Sequence, residues 1–195
     1  VQAFGKTFID FSRFDFEFAA ISSHKISGPK GIGALIVKDM NILSSFIKGG
    51  GQEFGKRSGT ENLMNIEGFA ASIEDKLLEI NSGKWDEIKS NRDYLEEMIL
   101  NESQNTKVVG KNTERLPNTS FFITPGWKND YQVASMDLEG FAISSGMACS
   151  SGKKNKQSSL TGMGYSETES NCGIRVSIGG TTTITYNIKT KKVIN

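Results

Sequence analysis

Lys25 is the residue in this sequence whose neighbours most suggest chemistry. It follows the only histidine, His24, within the run Ser-Ser-His-Lys-Ile-Ser-Gly-Pro-Lys-Gly that begins at Ser22. A lysine must be neutral to form an imine with a carbonyl compound, and burial or nearby cations favour that form. Hydroxyl, imidazole and backbone N–H groups at such a turn also suit a phosphate. A surface turn is the common alternative for a His-Lys pair.

A second segment, from Gly50 to Arg57, nearly matches the nucleotide-binding pattern GxxxxGK[ST]. Arg57 stands where that loop needs a Ser or Thr for magnesium, and polar residues at 44, 45 and 48 interrupt the strand that should precede it. We therefore expect no nucleotide hydrolase. The segment is either a flexible glycine loop or, with Ser58 to Asn62 before a predicted helix, an anion site.

Cys149 is the candidate nucleophile. Small residues precede it and the polar run Ser-Ser-Gly-Lys-Lys-Asn-Lys-Gln-Ser-Ser follows it, which predicts an exposed loop and a reachable thiol. Cys172 precedes an apolar strand and is interpreted as a buried structural residue. Arg175 on that strand offers a fork for a carboxylate, although a solvent-facing arginine is commoner.

Other catalytic classes have weaker support. A cysteine protease would require His24, next to Lys25, to act as base for a thiol more than a hundred residues away. One histidine and two cysteines give no recognisable metal-ligand spacing, so we predict no metal site.

Composition restricts the partners and the compartment. Lys and Arg total 23 against 22 Asp and Glu, a balance that argues against a nucleic-acid partner. Two cysteines do not form a disulfide framework, and no apolar run is long enough for a membrane span. We expect a cytoplasmic protein with no membrane partner.

The hydrophobic pattern predicts mixed α/β structure. Helical spacing runs from Leu63 to Ile80, and a second helix is expected from Trp85 to Leu100 with its charged residues off the buried side. Five strands are predicted, at Gly33–Val37, Thr106–Val109, Asn118–Ile123, Phe141–Ser145 and Ile174–Ile178. We place a domain boundary near residue 65, giving domains 1–65 and 66–195.

Six segments, in this order, resemble the cysteine desulfurases, which belong to the class V aminotransferase branch of the pyridoxal 5'-phosphate (PLP) fold-type I enzymes. They are Val1–Lys6, Ser22–Lys25 with its Gly-Pro-Lys-Gly turn, residues 49–62, Arg115–Ser120, the Cys149 segment and Ile174–Ser177. The type with a long loop around the active cysteine, which serves iron–sulfur cluster assembly and nitrogen fixation, is the better match. The resemblance implies the C-terminal part of a fold-type I large domain followed by a small α/β domain.

The resemblance also implies residue roles. Lys25 would bind PLP covalently, Gln2 would contact its ring hydroxyl, and Ser22 and His24 would bind its phosphate. Thr60 would bind the phosphate of the partner subunit's PLP, which implies a homodimer. Arg175 would hold the carboxylate of L-cysteine.

The implied reaction converts L-cysteine to L-alanine and leaves the sulfur on Cys149 as a persulfide for a sulfur-acceptor or scaffold protein. The family's acidic residue for the pyridine nitrogen, its stacking histidine and its main phosphate loop would all precede Val1. We therefore expect this chain to be the C-terminal half of the enzyme and inactive alone. After Thr183, Ile-Thr-Tyr-Asn replaces the family's usual acidic helix start.

Two other functions remain open. The chain could be a truncated, non-catalytic relative that acts as a binding or scaffold protein. An in-frame upstream segment with the missing acidic residue, histidine and phosphate loop would favour the enzyme over this alternative. It could also be a related PLP lyase, such as a selenocysteine lyase, with the same fold and another substrate.

Overall fold

The computed structural model describes residues 1–146 and 159–180. The chain divides into two compact units, Val1–Gly83 and Lys84–Asn195. The first helix, α1, belongs to the first unit, and the domain limits 1–65 and 66–195 stay a prediction. Residues 150–158 of the polar run after Cys149 and the tail after Thr183 lie outside the described residues.

The first unit contains a two-stranded antiparallel sheet. Strand β1 covers Phe18–Ser22 and strand β2 covers Gly33–Val37, with Ser22 opposite Gly33. The prediction of strand Gly33–Val37 is confirmed. A 3₁₀ turn, Ser23–Ile26, follows β1 directly, so the sheet end carries the turn that contains Lys25.

Helix α1, Leu63–Asn81, completes the first unit. It begins at Asn62, whose side chain accepts a hydrogen bond from the backbone N–H of Asn65 at 3.3 Å, as helix N-caps usually do. The predicted helix is confirmed, but its apolar face is only partly covered. Phe69 is buried, whereas Leu63 and Leu77 are exposed.

The second unit packs helix α2, Lys84–Glu102, on a three-stranded antiparallel sheet. The sheet order is β3 (Lys107–Val108), β4 (Thr119–Ile123) and β5 (Gly173–Ser177). The buried apolar cluster between these elements consists of Leu95, Ile99, Val108, Phe122, Ile174 and Val176. The strands predicted near residues 107, 120 and 175 are confirmed with slightly different bounds.

Four differences from the predicted elements appear in this unit. The segment predicted as strand Phe141–Ser145 contributes only an isolated bridge at Ser144. Helix α3, Asn129–Leu138, was not predicted, because its inner face includes the polar residue Gln132. The burial of this side chain is compensated by its hydrogen bonds to the carbonyls of Trp127 and Cys172. Short helices α4 (Ser159–Gly162) and α5 (Glu167–Ser170) precede β5.

The fourth difference concerns α2, which was expected to keep its charged residues off the buried side. Arg92 and Glu96 are each only 4% exposed. Glu96 accepts from both terminal nitrogens of Arg115, at 2.7 and 3.0 Å, and Arg92 donates to the carbonyl of Leu116 at 2.8 Å. Buried charges are tolerated when they are paired in this way. None of the helices in residues 1–146 and 159–180 combines the length and apolarity of a membrane span.

Candidate functional site

Lys25 lies in the middle of a short turn that is fixed at both ends. Its neighbour Ile26 is only 2% exposed, while Lys25 itself is half-buried. The turn ends at Ser27, which has a left-handed φ of 68°, and the backbone N–H of Gly28 donates to the carbonyl of Ser23 at 3.1 Å. The amine of Lys25 is therefore carried by an ordered turn rather than by a loose loop.

Ser22, the last residue of β1, and His24, on the turn that follows, come together at the sheet end. The hydroxyl oxygen of Ser22 lies 2.9 Å from Nδ1 of His24, and the tautomer of the imidazole decides which of the two donates. His24 is exposed and Ser22 is half-buried. The sheet end therefore presents a hydroxyl and an imidazole beside the lysine, which is the arrangement that the sequence suggested for a phosphate.

Ser23, between these two residues, was not singled out by the sequence. Its side chain is 0% exposed, and its hydroxyl oxygen has no hydrogen-bond partner among the described residues. An unpaired buried hydroxyl costs about 1–3 kcal/mol. A serine is unremarkable in sequence, so only its burial beside Lys25 reveals it.

The glycine-rich loop before α1 is held by its own hydrogen bonds. The backbone N–H of Ser58 donates to the carbonyl of Ile47 at 3.1 Å, and its hydroxyl donates to the carbonyl of Gly50 at 3.0 Å. Arg57 donates to the carbonyl of Gly59 at 2.7 Å. Thr60 follows this ordered loop and is exposed, so its hydroxyl can face a partner.

Gln2 and Thr60 are not joined to the Lys25 turn. Both side chains are exposed in the first unit. Within residues 1–146 and 159–180, neither shares a hydrogen bond with Ser22 or His24. Their predicted roles toward a cofactor stay predictions.

Arg175 lies on β5 in the second unit, as predicted. Its Nε is buried and has no hydrogen-bond partner among the described residues. Its backbone pairs with Ser144, with N–H to carbonyl distances of 3.1 and 2.7 Å in the two directions. Arg175 therefore stands beside the segment that leads to Cys149, which itself lies outside the described residues.

Cys172 is 6% exposed and packs with Val109, Ile123 and Leu160. This confirms its interpretation as a buried structural cysteine. Its buried position leaves Cys149 as the candidate nucleophile.

The comparisons with known proteins cover nearly the whole chain. Residues 1–185 match the family model described as Aminotransferase class-V. A cysteine desulfurase from Nostoc sp. is 36% identical over 178 residues, which are 91% of this chain and 44% of the relative. The chain thus spans about half the length of the curated relatives that it matches.

Solved structures agree with the sequence matches. A NifS-like protein from Rickettsia africae superposes with a TM-score of 0.84 at 33% identity, covering 99% of this chain and 50% of that one. A structure described as SspA in complex with cysteine gives a TM-score of 0.65 at 30% identity, covering 93% and 49% of the two chains. The α/β architecture is therefore that of the NifS-like proteins.

The family match along residues 1–185 and the similar solved structures lead to the same conclusion. The chain belongs to the class V aminotransferase family, and its matched relatives include cysteine desulfurases.

Proposed function

We propose that this chain forms the C-terminal half of a cysteine desulfurase, which converts L-cysteine to L-alanine and passes the sulfur to an acceptor protein. The observation that carries the proposal is the pair of Ser22 and His24 at the start of the turn that holds Lys25, with the Ser22 hydroxyl oxygen 2.9 Å from Nδ1 of His24. The identity of 36% to a cysteine desulfurase supports the same activity. The long-loop type, associated with iron–sulfur cluster assembly, is part of the proposal.

The residues of this turn fit PLP. Ser22 and His24 supply a hydroxyl and an imidazole for the phosphate, and Lys25 supplies an amine for the aldehyde on the same turn. Gln2 would bind the ring hydroxyl. When bound, the cofactor supplies an electron sink for bonds at the substrate's α-carbon. The lysine's task is then to move the proton at that carbon.

Arg175 would bind the carboxylate of L-cysteine. Its Nε is buried without a partner among the described residues, and a guanidinium group binds a carboxylate through two parallel hydrogen bonds. A strand holds this side chain in place on the second unit. The related structure described in complex with cysteine supports the substrate class.

Cys149 would accept the sulfur. It follows Ser144 by five residues, and five extended residues span at most roughly 17 Å. Ser144 pairs with Arg175, so the chain passes the residue that would hold the substrate five positions before Cys149. Attack of the Cys149 thiolate on the substrate sulfur breaks the substrate's C–S bond and forms an S–S bond. One L-cysteine and one enzyme thiol give one L-alanine and one persulfide, with no external oxidant.

A homodimer is the second part of the proposal. In it, Thr60 would bind the phosphate of the PLP in the partner subunit. Thr60 is exposed at the end of the ordered loop, and the loop presents two aromatic side chains, Phe46 at 96% and Phe54 at 91% exposure. Phe54 also has a φ of 55°, which bulky residues rarely adopt. Aromatic side chains are enriched at protein interfaces.

Covalent trapping tests the proposal on the chain itself. Reduction with borohydride after incubation with PLP should place a stable pyridoxyl group on Lys25, located by mass spectrometry of tryptic peptides. Lys25→Ala should lose the adduct, whereas Lys30→Ala, an exposed lysine on the same turn region, should keep it. Adducts spread equally over the exposed lysines would contradict the proposal.

Sulfur transfer is tested on the complete native protein. Cys149→Ser should abolish sulfide release from L-cysteine and leave PLP binding unchanged, and Cys172→Ser serves as the control for loss of a thiol. Equal sulfide release from Cys149→Ser would remove Cys149 from the mechanism.

A further inference from the structure

We propose that Gly68 on helix α1 is a positioning residue for Lys25, because it lets the lysine turn rest directly on the helix backbone. The inference rests on the role proposed for Lys25 as the cofactor-binding residue. It assigns to α1 a part in the site that the sequence motifs did not indicate.

The contact at Gly68 leaves no space for a side chain. A Cβ placed there would lie 2.6 Å from Cγ and 3.2 Å from Cδ of Pro29. Gly68 is inside a regular helix and is absent from the residues with positive φ, so its backbone does not need to be glycine. Glycine destabilises the interior of a helix relative to alanine. The close approach of Pro29 explains why position 68 is a glycine.

One helical turn later the same face of α1 makes a second close contact. A Cβ placed on Gly28 would lie 2.2 Å from the hydroxyl oxygen of Ser23 and 2.6 Å from that of Ser72. The hydroxyl of Ser72 donates to the carbonyl of Gly68 at 2.7 Å, which turns its oxygen toward the helix backbone. Pro29 and Gly28 thus rest on Gly68 and Ser72 respectively.

These contacts act on Lys25 through the backbone of its turn. Lys25 lies between Ser23 and Gly28, which are joined by the 3.1 Å hydrogen bond from the Gly28 N–H to the Ser23 carbonyl. Ser23 is tied to the sheet by its N–H, which donates to the carbonyl of Ile32 at 3.1 Å. The turn has one end on the sheet and the other on α1, so displacing Pro29 must rotate the segment that carries Lys25.

The proposal predicts that the effects of substitutions at Gly68 and Pro29 are coupled, so that Pro29→Ala suppresses the damage caused by Gly68→Ala. Gly68→Ala alone should displace the turn, because the Pro29 ring is stiff and cannot swing away as a flexible side chain would. Pro29→Ala removes Cγ and Cδ, the two atoms that the new methyl group would meet. In that background Gly68→Ala should be harmless or stabilising, as alanine normally is in a helix. A double-mutant cycle measures this coupling.

The experiment compares the 195-residue chain with Gly68→Ala, Pro29→Ala and the double variant, and uses Glu67→Ala, an exposed neighbour on α1, as the matched control. The first readout is borohydride-trapped PLP on Lys25 relative to Lys30. Gly68→Ala should lower this ratio at least about tenfold, since misplacement by about 1 Å can cost on the order of 10²-fold. The double variant should return to the level of Pro29→Ala.

The second readout needs no cofactor. Hydrogen exchange of the amides of residues 23–29 should accelerate in Gly68→Ala, return to the Pro29→Ala rate in the double variant, and stay unchanged in α2. The proposal is overturned if Gly68→Ala leaves both the exchange rates and the labelling of Lys25 unchanged. It is also overturned if Gly68→Ala lowers the labelling equally with and without Pro29→Ala.

The Gly68→Ala variant alone can also fail to fold. In that case a double variant that folds supports the proposal, and a double variant that does not fold overturns it. Wild-type chain that takes no PLP at Lys25 contradicts the proposed function, and the exchange cycle then still decides the role of Gly68.

Discussion

Ser144 and Arg175 face each other across an antiparallel bridge, with hydrogen bonds of 3.1 Å from the Ser144 N–H and 2.7 Å from the Arg175 N–H. The bridge joins the segment before Cys149 to the strand that carries the candidate carboxylate ligand. Two residues that are 31 positions apart in sequence thereby become neighbours in the second unit.

Arg175→Lys should raise the KM for L-cysteine in the complete protein about tenfold or more, because an ammonium cannot replace the planar fork of a guanidinium and charge-assisted hydrogen bonds contribute about 1.5–3 kcal/mol. Arg13→Lys, an exposed arginine in the first unit, should leave KM unchanged. Steady-state kinetics of alanine formation measures both. A KM equal to that of the wild type would show that Arg175 does not hold the substrate.

Glu96→Gln should destabilise the second unit by about 3–5 kcal/mol, the usual cost of removing one partner of a buried ion pair. Glu96 accepts two hydrogen bonds from Arg115 and one from the Ser120 hydroxyl, and it raises the pKa of the Arg115 guanidinium. Its exposed neighbour Glu97 provides the control, Glu97→Gln. Urea unfolding should separate the two variants, and equal midpoints would mean that the ion pair contributes no net stability.

Glu169 should make stability fall in acid. Its hydrogen bond from Lys107, followed by those from Ser166, lowers its pKa from 4.5 to about 2. A carboxyl group whose pKa is lower in the folded state stabilises the fold above the unfolded pKa and loses this effect as pH falls. We expect the loss between pH 4.5 and about pH 2. Glu169→Gln should remove that part of the pH dependence, whereas Glu167→Gln should retain it. Thermal unfolding across this range measures the difference.

Ser23→Ala should stabilise the first unit by about 1 kcal/mol or more, because it removes a buried hydroxyl that has no partner among the described residues. The control is Ser72→Ala, which removes a hydroxyl that donates to the carbonyl of Gly68 and should therefore destabilise. Chemical denaturation of the first unit gives both values. Destabilisation by Ser23→Ala would indicate that a water molecule or ligand satisfies this hydroxyl.

The elements with a clear apolar period were predictable because neighbouring residues largely determine them, whereas α3 and the absence of a strand at Phe141–Ser145 were not. The spacing of apolar residues predicted α1, observed at Leu63–Asn81, and the run of Gly33–Val37 predicted β2. The family resemblance selected Lys25 and Arg175, and their positions on a turn and a strand agree with the sequence pattern. The fold class was predictable on the same grounds.

The sequence by itself therefore determined the periodic elements and the candidate chemistry of Lys25, because propensity and turn residues act over a few positions. Tertiary structure alone decided that Glu96 could be buried, since Arg115 approaches it from another segment, and that Gly68 is needed where Pro29 meets α1. A sequence pattern records what each residue prefers. Which distant group will pair with it depends on long-range packing, and only the folded chain decides that.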